Sequence, residues 1–304
     1  MHKFLIIISL ISTLISCNNE NEATLKAHHF KSDLVEDREI QVLIPESYFN
    51  SEKHYPVLYM HDGQMLFDST STWNGQEWGV DETMAKLSKE NKIREAIIVA
   101  IPNGGTLLRH PEYFPQKPFE SLPKHIQDSL YQLDRGDGIL LFATDVQSDN
   151  YLKFITEELK PFVDSTYRTL PDRSNTFIAG SSMGGLISMY AICEYPQVFG
   201  GAACLSTHWP GVFTIENNPI PDAFFTYLKE NLPDPRKHKL YFDYGTATLD
   251  ALYASLQPVA DSIILQAGYD SNTFKTMKFE GDAHDENAWK NRLHVPLIFL
   301  LSKE

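Results

Sequence analysis

The segment Gly180-Ser181-Ser182-Met183-Gly184-Gly185 holds the residue types best suited to chemistry. It contains G-x-S-x-G, with an apolar, β-branched run before it (Thr176–Ala179) and a helical pattern after it. Strand, sharp turn and helix in that order hold a serine in strained backbone with its hydroxyl presented for attack on an acyl carbon. The hydroxyl is a poor nucleophile until a base takes its proton, so a histidine must reach Ser182. In sites of this kind the acid and then the histidine follow the serine along the chain. Histidines such as His28, His29 and His61 precede it; His208, His238 and His294 sit on or beside regular elements. His284 lies in the small-residue loop Glu280-Gly281-Asp282-Ala283-His284-Asp285, after a strand-like run and before the last helix, and is the expected base. The acid should follow the strand Leu240–Tyr244. Asp250, in the loop beyond, has more freedom to reach His284 than Asp243 within the strand, although both remain candidates. A tetrahedral intermediate also needs two backbone N–H donors. Met183, next to the serine, and Gln64, after Asp62-Gly63, supply them on this reading, with Gly63 permitting the turn.

These residues lie far apart in sequence and need a frame. Apolar runs at Ile40–Ile44, Pro56–Met60, Ala96–Ile101, Thr176–Ala179, Gly201–Leu205, Leu240–Tyr244 and Phe274–Phe279 read as strands. Several are apolar on both faces, which suits a parallel sheet covered on each side. Helical patterns fall at Val80–Asn91, Asn150–Thr166, Met183–Tyr195 and Ala251–Ala267, and from Glu286 to Leu301 with a kink at Pro296. Alternating β and α predicts a doubly wound α/β fold with helices on both faces. The proline-rich stretch 104–147 reads as a long loop excursion over the strand ends, where such folds place ligands.

The chain resembles the esterase family of α/β-hydrolases that holds S-formylglutathione hydrolases, feruloyl and acetyl-xylan esterases of carbohydrate esterase family one, siderophore esterases and mycolyltransferases. The resemblance runs from about Arg38 to Leu301. It rests on Pro56-Val57-Leu58-Tyr59-Met60-His61-Asp62-Gly63-Gln64, on the serine segment, and on Gly281-Asp282-Ala283-His284 with Trp289 following. It implies an α/β-hydrolase fold, Ser182, Asp250 and His284 as triad, and Gln64 and Met183 as oxyanion donors. It also implies a serine carboxylesterase acting on acyl or feruloyl esters of glycans. A siderophore lactone esterase, an acyltransferase to a sugar hydroxyl and a non-catalytic glycan-binding protein are the alternatives. Many members carry the acid closer to the glycine that ends its strand than Asp250 lies to Gly245.

The 304 residues carry 26 Lys and Arg against 40 Asp and Glu, a net charge of −14. So acidic a surface repels phosphate backbones, which excludes nucleic acid as a natural partner. Composition is that of a folded protein, 42% hydrophobic and 22% charged. Residues 1–16 read as a secretory signal, too short in its apolar stretch to span a bilayer. Leu14-Ile15-Ser16-Cys17 resembles a lipobox, so Cys17 is the expected lipidation site. Residues 17–33 are then a disordered tether and 34–304 the esterase domain, exported and held at a membrane by lipid alone. Arg109 is a candidate for substrate binding, with a pairing to Glu112 as the plainer reading. Trp209 could wall the substrate site or lie in the core. Cys193 and Cys204 read as buried core residues that an exported protein could bridge. No metal-ligand spacing and no phosphate-cradling glycine loop occurs in the sequence, so no cofactor or metal is expected.

Overall fold

The computed structural model describes residues 23–136 and 138–303. Eight strands form one sheet: β1 (Thr24–Phe30), β2 (Arg38–Ile44), β3 (Val57–His61), β4 (Ile97–Ile101), β5 (Thr176–Ser181), β6 (Gly201–Leu205), β7 (Lys239–Gly245) and β8 (Phe274–Phe279). Their spatial order is β1-β2-β4-β3-β5-β6-β7-β8. The first two are antiparallel to their neighbours, and β4 through β8 run parallel. Every residue of β3, β4, β5 and β6 is buried, as expected for strands covered on both faces. Alternate residues serve two cores. Tyr59, Val99, Ile178 and Phe242 pack on one side, and Leu58, Met60, Ile98, Phe177 and Tyr241 on the other.

The helices that cover the sheet include α1 (Val80–Lys89), α2 (Gly105–Tyr113), α3 (Gln116–Ser121), α4 (Lys124–Tyr131), α5 (Ser148–Lys153) and α6 (Lys160–Thr166). They continue with α7 (Met183–Glu194), α8 (Ile220–Asn231), α9 (Gln257–Gln266), α10 (Glu286–Arg292) and α11 (His294–Leu301). From Met183 to Cys193 α7 is wholly buried, which accounts for a sequence that is apolar all the way round.

Three expectations are corrected. Residues 24–30 are not tether: they form β1, in register with β2 from Thr24 opposite Ile44 to Phe30 opposite Arg38. The sheet therefore begins before residue 34. Signal residues 1–16 and Cys17 lie outside the described residues. Nor is 104–147 a loop excursion, since it holds α2, α3 and α4. The C-terminal helix breaks at Leu293, between α10 and α11. That break lies on the N-terminal side of Pro296, where its ring would strike the carbonyl of Arg292 four residues back.

Candidate active site

Ser182 occupies the turn between β5 and α7 with φ 58° and ψ −120°, a conformation L-residues rarely adopt. Its amide donates to the Leu205 carbonyl at 2.9 Å, which ties the turn to the end of β6. Gly180 must lack a side chain, because a Cβ there would lie 2.8 Å from the Gly184 carbonyl. Met183 opens α7, and a first-turn N–H has no partner within its helix. Gln64 sits in the one-turn helix Gly63–Met65, whose N–H groups at Met65 and Leu66 bond back to Asp62 and Gly63. The positive φ of this turn falls on Asp62, at 54°, and not on Gly63. Gly63 is needed for another reason: a Cβ would lie 2.6 Å from the β4 backbone at Ala100.

Across the strand ends, His284 Nδ1 lies 2.5 Å from Asp250 Oδ1. The second oxygen of Asp250 accepts the Gly245 N–H at 2.5 Å and the Ser206 hydroxyl at 2.6 Å. Ser206 in turn accepts from Trp289 Nε1 at 3.0 Å and Arg292 Nη2 at 2.7 Å. Asp250 is fully buried, while His284 keeps 13% of its side chain exposed. The His284 backbone N–H donates to Thr248 Oγ1 at 2.8 Å, and its ring packs against the Trp289 ring, edge-on at 5.0 Å. Asp243, the other acid candidate, faces away. It accepts from Tyr241, from the Ser206 amide and from Arg292. Burial pushes its carboxyl up to about 6 despite the Arg292 charge.

Two residues that sequence reasoning passed over complete the cluster. Tyr253 lies one turn beyond Asp250 in the short helix Thr248–Ser255, and its hydroxyl pairs with His208 Nδ1 at 2.8 Å. Its ring packs edge-on to His284 at 5.9 Å, and a hydrogen bond with the Ser182 side chain eases ionisation of its phenol against burial. His208 also donates its backbone N–H to the Ser182 carbonyl at 3.2 Å. The missed signal was the Asp250-to-Tyr253 spacing, which places both side chains on one helical face.

Of the two substrate-binding candidates, Arg109 pairs with another carboxylate than Glu112, and Trp209 takes the core position that was one of its two expected places. Arg109 is bound to Asp62 by two hydrogen bonds, at 2.7 and 2.8 Å, and lies over the Tyr113 ring. Burial would raise the Asp62 carboxyl, but the charge and hydrogen bonds of Arg109 outweigh it and hold it below its ordinary value. Glu112 pairs instead with Arg38, at 2.8 Å. Trp209 is fully buried, stacked on Phe242 and hydrogen-bonded to Gln257, so it belongs to the core and walls no site. Cys193 and Cys204 are both buried and unbridged.

A family model described as "Putative esterase" matches residues 32–300. The chain belongs to that esterase family. It is 25% identical over 174 residues to the uncharacterized protein YbbA of Bacillus subtilis, covering 57% of this chain and 58% of that protein. The chain therefore spans little more than half the length of this relative. In structure it is similar to a ferulic acid esterase, with TM-score 0.65 and 20% identity over 92% of this chain and 98% of the other. An IroE-like serine hydrolase from Shewanella oneidensis matches with TM-score 0.62 and 20% identity, over 91% and 79%. At such identities the likeness is one of fold, and it covers a mostly parallel sheet like theirs.

Proposed function

We propose that Ser182, His284 and Asp250 act as a catalytic triad. Ser182 attacks the ester carbonyl, His284 takes its proton and returns it to the departing alcohol, and water then releases the acyl group. Asp250 orients the imidazole without itself taking the proton. The Met183 and Gln64 amides receive the developing oxyanion. The observation that carries this reading is the 2.5 Å pairing of His284 with Asp250, beside a serine held at φ 58°. The substrate class is an acyl or feruloyl ester of a glycan, a choice supported by likeness to a ferulic acid esterase. Arg109, bound to Asp62, gives no support to recognition of a substrate carboxylate. The protein is exported and anchored through lipid on Cys17, a reading supported by the lipobox-like sequence alone.

The test is hydrolysis of p-nitrophenyl acetate by the wild type and by Ser182→Ala. Loss of at least about a thousandfold in the variant is expected; equal turnover by both proteins overturns the triad. Feruloylated oligosaccharides then test the glycan ester. Labelled fatty acid incorporated into wild type but not Cys17→Ala tests the anchor.

A further inference from the structure

We infer that Tyr253, backed by His208, is a second hydrogen-bonding partner of the nucleophile and assists departure of the alcohol. This rests on the triad reading above. Three positions fix the arrangement. The Tyr253 hydroxyl is 2.8 Å from His208 Nδ1. A hydrogen bond with the Ser182 side chain also acts on this phenol, easing its ionisation against burial. The Tyr253 ring lies 5.9 Å from the His284 ring, edge-on, so the phenol stands beside the pair that must exchange the proton. His208 is itself tied through its backbone to Ser182, and its ring packs against Phe213.

Both groups stay uncharged across the working range. Burial lifts the Tyr253 phenol well above its ordinary value. Burial, reinforced by the charges of His284, His110 and Arg109, drops His208 well below its own. A neutral imidazole donates from one nitrogen only. With the hydrogen on Nδ1, His208 donates to the phenolic oxygen, and the phenol hydrogen is left to point at Ser182 Oγ.

In acylation the Oγ–carbon bond forms as the Oγ proton passes to Nε2 of His284. Collapse of the intermediate breaks the carbon–oxygen bond to the alcohol, and that oxygen takes the same proton from His284. Tyr253 keeps its own proton throughout. As Oγ becomes bonded to carbon, the phenol turns its hydrogen bond to the neighbouring alcohol oxygen, which carries increasing negative charge until it is protonated. A donor at that atom matters most for alcohols that leave badly. It matters least for p-nitrophenolate, which leaves without help.

The experiment compares kcat/KM of wild type, Tyr253→Phe and His208→Gln on acetate esters of p-nitrophenol, phenol and ethanol. Tyr253→Phe removes one oxygen and keeps the ring against His284. Its loss on the ethyl ester should exceed its loss on the p-nitrophenyl ester by about tenfold or more, within the range of a single positioned donor. His208→Gln keeps an amide donor for Tyr253 and should restore most of the ethyl-ester activity that His208→Leu loses. In the Tyr253→Phe background the His208 substitutions should add little, because the two act as a unit. A loss equal across the three esters, or no loss on any, overturns the inference and makes Tyr253 a packing residue. If Ser182→Ala remains active on the p-nitrophenyl ester, the triad reading itself fails, a result separate from a flat Tyr253→Phe series. If Tyr253→Phe does not fold, the His208→Gln and His208→Leu comparison decides alone, on the same ratio between esters.

Discussion

Ser206 occupies a strained φ of 43° after β6, yet it links four groups: Asp250, Trp289 and Arg292 through its hydroxyl, and Asp243 through its amide. Ser206→Ala withdraws one donor from Asp250 and leaves buried Trp289 and Arg292 donors without that acceptor. An unsatisfied buried donor costs about 1–3 kcal/mol, so a lower thermal midpoint is expected together with slower ester turnover. A midpoint equal to wild type would show the hydroxyl to be dispensable. Asp250→Asn keeps the shape but favours the wrong imidazole tautomer, and a drop of about 10³–10⁴ in kcat is expected. Asp243→Asn should change turnover far less, because Asp243 faces Arg292 and Tyr241; equal losses from the two variants would reverse their roles. Sequence alone favoured Asp250 from chain freedom. What it missed is that Gly245, where a Cβ would lie 2.2 Å from the Asp282 carbonyl, lets the acid strand and the histidine loop touch.

At the scale of elements, the turn at Ser182 is set by the close approach of β5 and α7. Gly180→Ala puts a methyl 2.8 Å from the Gly184 carbonyl, so helix or strand must shift and carry Ser182 with it. A displacement of about 1 Å can cost on the order of 10²-fold in rate, so turnover should fall by that much while far-ultraviolet circular dichroism stays native. Unaltered kinetics would show the turn to be elastic. The buried strands and α7 were legible because burial on both faces leaves a continuous apolar run. The helices α2, α3 and α4 were not. Their prolines read as loop, yet Pro115 and Pro123 stand just before α3 and α4, where a missing N–H costs nothing. Strand β1 was hidden too, since at an exposed edge its pattern lacks a clear alternation and only pairing with β2 recruits it.

At the scale of the whole molecule, buried histidines govern the response to acid. Burial, with help from Arg109, holds His61 and His110 down to about 3, against an ordinary value of 6.5. The unfolded chain then binds more protons than the folded one between those limits, so stability falls as pH drops below about 6.5. Asp243, raised to about 6, acts with the opposite sign between its ordinary value and that point. Asp81, also raised to about 6, and Asp261, raised by burial, act in the same sense as Asp243, but the large downward shifts of His61, His110 and His208 outweigh these smaller carboxyl shifts. The thermal midpoint should therefore fall steadily from pH 7 to pH 4, and His110→Gln should flatten the slope. A midpoint that rises toward pH 4 would contradict this assignment. Asp62 adds to acid sensitivity at still lower pH, because Arg109 holds its carboxyl below the ordinary value.

The sequence by itself determined seven of the eight strands, the nucleophile turn and the loop that carries His284, because each is written in local residue types: apolar runs, small residues around a serine, glycines at close approaches. Only tertiary structure decided which charges cancel. Arg109 is 47 residues from Asp62 and Arg38 is 74 from Glu112, and no local pattern announces such pairs. It also decided that Trp209 lies in the core and that Tyr253 and His208 stand at the serine. A buried polar group is placed by whichever partner satisfies its hydrogen bonds, and that partner is fixed by how strands far apart in sequence come to lie side by side.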